Sequence, residues 1–76
     1  MYSVAEKIKA MLAEQLDIGA ETVAEESDIG ELGADSLDIV ELVMSIEEQF
    51  GVAIEEDDVS GFRTVGDVVS FIEENT

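Results

Sequence analysis

The first apolar positions of the chain recur at helical spacing. Ser3 and Glu6 form an S-x-x-E capping box, and the apolar residues that follow are three or four positions apart. These residues are Val4, Ile8, Met11, Leu12 and Leu16. The pattern predicts a first helix that starts after Ser3 and is ended by Gly19.

Three further helical segments are predicted in the second half of the chain. One covers residues 36–50, with Asp35 as its N-cap and Gly51 as its stop. A short one covers residues 56–60. The last begins after Thr64 as N-cap and continues with an apolar stripe made of Val65, Val68, Val69, Phe71 and Ile72.

The connection over residues 17–35 is long for a compact domain. We expect a short turn at residues 20–23, and we expect Ile29 and Leu32 to hold the remainder against the core. These anchors would keep the start of the next helix in a defined place.

Val52 and Ile54 alternate with other residues as in a strand, but so short an alternation cannot build a sheet. We interpret them as part of a link between helices. The predicted fold is all-α: one domain over residues 1–76, a four-helix bundle with one short helix and a long loop between helices one and two.

The predicted second helix has apolar side chains on two opposite faces. At 100° per residue, one sector contains the side chains expected against the core, namely Ile39, Leu42, Val43, Ile46 and Phe50. The other contains Leu37, Val40 and Met44, among carboxylates. One exposed apolar residue is ordinary, and another helix could cover part of this face. A helix on a core is expected to be polar on its back, so we interpret the three as a docking strip.

Charge is the strongest compositional signal. Twenty acidic residues oppose three basic ones, and the formal net charge is −17. Such a chain is repelled by nucleic acid and by anionic membranes, and it attracts proteins with basic patches. The chain shows neither a signal peptide nor a run near the roughly 20 apolar residues of a membrane span. We expect a cytoplasmic monomer, or an organellar protein after removal of its transit peptide, that does not bind nucleic acid and does not insert into a membrane.

The residue types exclude several kinds of catalysis. The chain has no histidine and no cysteine, so it cannot assemble a Ser-His-Asp triad, a Cys-His pair or the usual zinc ligands. The acidic run at residues 55–58 lacks the spacing of an EF-hand. We therefore expect no enzyme, with no catalytic residue and no metal site.

Ser36 stands at the start of the predicted second helix. On local sequence alone it is interpreted as a serine of the cap region. A second interpretation stays open, because a helix N-terminus presents free N–H groups and a positive dipole end to a phosphate.

Residues 32–38 read L-G-A-D-S-L-D, and residues 40–44 read V-E-L-V-M. With the first helix, the long loop and the T-V pair that opens the last helix, they resemble the modification site of the acyl carrier proteins of fatty-acid synthesis. In that family the matching serine carries 4′-phosphopantetheine, which a phosphopantetheinyl transferase attaches from coenzyme A. The thiol of this arm holds acyl chains as thioesters. The resemblance implies that Ser36 is the attachment site and that the protein delivers acyl groups to fatty-acid synthesis enzymes.

The helical wheel, which gives the apolar docking strip, and the resemblance, which gives the acids and the pocket, together yield two groups of site residues. The group expected to dock basic patches on the transferase and on acyl-processing enzymes contains Asp35, Leu37, Asp38, Val40, Glu41, Met44, Glu47 and Glu48. The group expected to line an acyl pocket contains Leu42, Val43, Ile46, Val59, Phe62 and Val68. The last three look bulkier than is typical of the family, so we expect short acyl chains to fit better than long ones.

Two alternatives stay open at this point. The first is a polyketide or other specialised acyl carrier, which differs in pathway rather than in chemistry. The second is an acidic interaction protein without a prosthetic group, acting as a decoy for a basic surface. Such a protein would keep the charge but would have no use for Ser36 at a helix start.

Overall fold

The computed structural model describes residues 3–76, and the elements of this range follow the predicted order. Met1 and Tyr2, at the start of the predicted domain, lie outside the described residues. Within residues 3–76 there are four α-helices and one short 3-10 turn, and no strand longer than an isolated bridge between Asp28 and Thr64. The helices are α1 (Val4–Leu16), α2 (Ser36–Phe50), α3 (Glu56–Val59) and α4 (Val65–Glu74), and the 3-10 turn is Ala20–Thr22.

The long helices begin where a side chain can accept the first free backbone N–H groups. Each of α1, α2 and α4 opens with a reciprocal capping box, in which the N-cap side chain and the N3 carboxylate each accept the other residue's N–H group. The pairs are Ser3–Glu6, Asp35–Asp38 and Thr64–Asp67. The single turn of α3 is also held at its start, because the Asp58 carboxylate accepts the Glu55 N–H at 3.0 Å.

The end of α1 differs from the prediction. The prediction that Gly19 ends this helix is wrong, because Asp17 is already left-handed, with φ 56° and ψ 49°. Aspartate tolerates this conformation better than most residues, so no glycine is required there. Gly19 instead precedes the 3-10 turn as its N-cap. The end of α2 is as predicted, with Gly51 at φ 66°.

The core draws on every long helix and on the connections before and after α2. Val52 and Ile54 belong to it, each with 9% of its surface exposed, and they form a link without regular structure. The other buried apolar residues are Ile8, Leu12, Ala13, Val23, Ile29, Leu42, Ile46, Val65, Val68, Val69 and Ile72. The first helix packs against both α2 and α4. The alternation of Val52 and Ile54 therefore reflects burial of an irregular link.

The long connection is fixed to the start of α4 by backbone hydrogen bonds. The carbonyl oxygens of Glu25 and Ser27 accept the N–H groups of Gly66 and Val65 at 2.7 and 3.0 Å. In the other direction, the Ile29 N–H donates to the carbonyl oxygen of Arg63, just before α4, at 2.9 Å. The first two of these bonds satisfy first-turn N–H groups of α4, which no helix can pair internally. As a result the connection, with Ile29 buried, delivers the chain to α2 in a defined place.

The Asp67 carboxylate makes the stability of this region depend on pH. Its Oδ2 accepts the N–H groups of Thr64 and Arg63, each at 3.0 Å. These hydrogen bonds, from Thr64 first and then Arg63, hold the pKa of the Asp67 carboxyl below its usual range. A carboxyl with a lowered pKa in the folded state stabilises the fold above its ordinary pKa and ceases to do so as pH falls through the lowered value.

We therefore expect Asp67→Asn to destabilise the protein at neutral pH, with a smaller effect in acid. The difference in unfolding free energy between wild type and variant should be constant above about pH 5 and should shrink below about pH 4. Urea unfolding of both proteins between neutral and strongly acidic pH measures this. A difference that does not change with pH would contradict the role given to the Asp67 charge.

Candidate modification site and docking surface

Ser36 is the first residue of α2, and its side chain is exposed. The cap of this helix is complete without it: Asp35 Oδ1 accepts the Asp38 N–H at 2.9 Å, and Asp38 Oδ2 accepts the Asp35 N–H at 3.1 Å. The Ser36 hydroxyl is therefore not needed to start the helix. It stands free at a position where the two neighbouring acids do the capping.

The backbone around Ser36 suits a phosphate group. An α-helix cannot pair its first N–H groups internally, and the Asp35 side chain takes the one from Asp38. Those of Ser36 and Leu37 remain at the positive end of the helix dipole, where an anion is stabilised. Gly33, which precedes this turn with φ 102°, has open space where a side chain would stand. A phosphodiester on the serine oxygen therefore fits these residues.

The two apolar faces of α2 lie where the helical wheel predicts. Leu37, Val40 and Met44, which we call the docking strip, are 64%, 54% and 62% exposed. On the opposite side Leu42 is 4% exposed and Ile46 is 1% exposed. The exposure of the strip is therefore confirmed for the described residues.

The carboxylates assigned to the docking surface do not form one free patch. Glu48 is exposed beside the strip. Glu41 is also exposed, but its Oε2 accepts the side-chain N–H of Gln15 in α1 at 3.1 Å. Glu47 is half-buried, and its Oε2 accepts the Ile54 N–H at 2.8 Å. A wheel places these acids by angle alone and cannot show which of them a neighbouring segment engages.

The residues assigned to the acyl pocket are divided among three places. Leu42, Ile46 and Val68 lie in the closed core. Phe62 packs edge-on against Phe71, with ring centroids 5.5 Å apart. The remaining two, Val43 and Val59, line an open groove of about 450 Å³ between α2 and α3. The other apolar walls of this groove are Val40, Met44 and Ile54.

The groove includes residues that sequence reasoning did not place there. Ile54 was expected only as part of a link, and Val40 and Met44 only as members of the docking strip. No local signal identifies them as groove residues, because the groove exists only where the link and α3 fold back beside α2. The strip and the groove are consequently continuous along one edge of α2.

Two further properties concern residues 3–76. Within that range no helix combines the length and the apolar character required to cross a membrane. The same residues bring together no group of three or more histidine, cysteine or acidic side chains that could hold a metal ion.

Comparison with known proteins gives a consistent family. Residues 6–72 match the family described as the phosphopantetheine attachment site. An acyl carrier protein of Clostridium perfringens is 47% identical over 72 residues, which cover 93% of this chain and 95% of that protein. An acyl carrier protein of Helicobacter pylori is 49% identical over 71 residues, which cover 92% and 91%. The chain belongs to the acyl carrier protein family.

The fold of this acyl carrier protein agrees with a solved structure. The acyl carrier protein of Enterococcus faecalis superposes with a TM-score of 0.82 at 32% identity, covering 96% of this chain and 94% of that one. The predictions of the family and of the all-α fold are thereby confirmed. So is the predicted cofactor, covalently bound 4′-phosphopantetheine. The alternative of an interaction protein without a prosthetic group is not supported.

The burial of α2 predicts opposite outcomes for two of its residues. Met44→Ala should change the free energy of unfolding by no more than about 0.5 kcal/mol, because the side chain is mostly exposed. Ile46→Ala should cost about 2–5 kcal/mol, because it leaves a cavity in the core. Urea unfolding of both variants beside wild type measures this. Equal losses would mean that the strip is buried in solution.

Proposed function

We propose that Ser36 carries 4′-phosphopantetheine and that the protein delivers acyl groups to enzymes of fatty-acid synthesis. The observation that carries the assignment is the exposed Ser36 hydroxyl at the start of a helix whose cap does not use it. When bound, the arm supplies the thiol that holds acyl groups as thioesters. A chain without cysteine has no thiol of its own for this purpose.

The other serines are less suitable for attachment. Ser3 accepts the Glu6 N–H as the cap of α1. The Ser27 hydroxyl accepts the Ala24 N–H at 3.0 Å, and the Ser60 hydroxyl donates to the Asp57 carbonyl oxygen at 2.8 Å. The remaining two serines lie inside α2 and α4, away from the free N–H groups at a helix start. Within residues 3–76, Ser36 alone combines a place in the first turn of a helix with a hydroxyl that the cap of that helix does not use.

The groove between α2 and α3 is the place we propose for the acyl chain. Val40 lies one helical turn after Ser36 and therefore on the same side of α2. An arm fixed at Ser36 can in this way return its acyl end to the apolar walls of the groove. We still predict that the groove holds short acyl chains better than long ones. Of the three bulky residues on which this prediction was based, only Val59 stands in the groove wall.

The docking strip and the neighbouring acids are proposed to meet basic patches on the phosphopantetheinyl transferase and on acyl-processing enzymes. Apolar contact at Leu37, Val40 and Met44 lengthens the life of the complex. Exposed carboxylates such as Glu48 raise the rate of encounter and orient the partner. The capping acids Asp35 and Asp38 lie near Ser36 and add to the negative electrostatic potential that attracts a basic partner. This assignment gives the apolar and the acidic residues different kinetic effects.

The first test concerns Ser36 itself. Ser36→Ala should fold with nearly unchanged stability, because the cap bonds of α2 are made by Asp35 and Asp38. It should gain no phosphopantetheine when incubated with coenzyme A and a transferase, as measured by intact mass. Ser45→Ala, an exposed serine of the same helix, serves as the control and should load like wild type. Loading of the Ser36 variant would refute the assignment.

The second test separates charge from apolar contact at the docking surface. Glu48→Lys should slow association with the transferase several-fold, and the wild-type advantage should shrink as sodium chloride screens the charges. Met44→Ala should mainly speed dissociation, with little salt dependence. Stopped-flow binding at low and high salt measures both rates.

The control for this test is Glu73→Lys, which makes the same charge change at an exposed position of α4. It should slow association less than Glu48→Lys does. If the two lysine variants behave alike, net charge alone governs the encounter, and α2 has no special part in docking.

A further inference from the structure

Glu47 holds two points of the chain that follows α2. Its backbone carbonyl oxygen accepts the Gly51 N–H at 2.9 Å, which closes the helix. Its side chain then reaches seven residues ahead, where Oε2 accepts the Ile54 N–H at 2.8 Å. One residue thus fixes both the start and the far part of the link over residues 51–55.

This link determines where α3 lies. It has no regular structure of its own, and the helix that follows is a single turn, Glu56–Val59. So short a helix is not stable by itself, and its position depends on the chain on either side. Ile54 and Val59 form the side of the groove that faces α2. The hydrogen bond to Ile54 therefore bears directly on the shape of the groove.

The Ile54 N–H has a particular need for this acceptor. It belongs to a residue that is 9% exposed, and the bond is itself partly buried. A backbone N–H that loses its partner in such a place costs free energy, because water reaches it poorly. The Glu47 side chain supplies an oxygen acceptor at the distance that this N–H requires, 2.8 Å.

We propose that Glu47 is a positioning residue, which holds Ile54 in the wall of the acyl groove through its side-chain oxygen. Its principal contribution is therefore an acceptor at the right reach, whereas the exposed Glu48 contributes charge to docking. The part of this proposal that concerns acyl chains rests on the function proposed above, and the part that concerns Ile54 does not.

Two conservative substitutions separate reach from charge. Glu47→Gln loses the charge but keeps an oxygen at the same distance, whereas Glu47→Asp keeps the charge but shortens the side chain by one methylene group. Glu48→Gln and Glu48→Asp make the same changes at the next residue, which is exposed. These controls account for the effects of net charge and of helix propensity.

The first measurement is hydrogen exchange of the Ile54 amide, followed by NMR in the protein before phosphopantetheine is attached. Exchange should be about tenfold faster in Glu47→Asp, which corresponds to the loss of a hydrogen bond to a charged group. It should stay within about threefold of wild type in Glu47→Gln and in both Glu48 variants, since the acceptor is retained. Unchanged exchange in Glu47→Asp, or equal acceleration in Glu47→Gln, would overturn the proposal.

The second measurement is the rise in Tm when the arm on Ser36 is loaded with an octanoyl group. The rise should be smaller in Glu47→Asp than in wild type and should be retained in Glu47→Gln. An equal rise in all variants would overturn the link to the groove. If octanoyl loading fails to stabilise even wild type, the proposed acyl groove is wrong, while the exchange of Ile54 still decides the positioning role.

Discussion

Carboxylates that accept backbone N–H groups organise this acidic protein. With a net charge of −17, the chain has few cationic side chains with which its acids could pair. Backbone N–H groups take the place of cations at the points where the chain changes direction. Glu6, Asp38, Asp58 and Asp67 do this at the four helix starts, and Glu47 does it on the link after α2. Some of the acidic side chains thus stabilise the helix starts, in addition to the repulsion that their charges cause.

This arrangement has a direct consequence for Ser36. If the serine itself capped α2, its hydroxyl would be engaged by the first turn. Because Asp35 takes that role, the hydroxyl stays exposed beside N–H groups that favour a phosphate. The acids near Ser36 therefore act first on the backbone, and in the proposed function their charge is available to partners in addition.

The second helix combines three surfaces within fifteen residues. Ile46 faces the core, Leu37 faces solvent, and Val40 and Met44 stand between solvent and the groove. Since the groove and the docking strip share residues along one edge, a partner that covers the strip also reaches the mouth of the groove. In the proposed function, docking and access to an acyl chain are in this way geometrically connected.

The sequence by itself determined the helices apart from the end of α1, the exposed strip and the position of Ser36, because capping boxes, the glycine stop at Gly51 and the 3.6-residue period depend on neighbours in the chain. It could not assign Glu47 or Ile54, whose contact spans seven residues across an irregular link. By its angular position on α2, Glu47 looks like a surface acid. It accepts a backbone N–H only because the link folds back and brings Ile54 beside it. Tertiary structure alone decided the groove, because its walls come from segments whose approach no local pattern encodes.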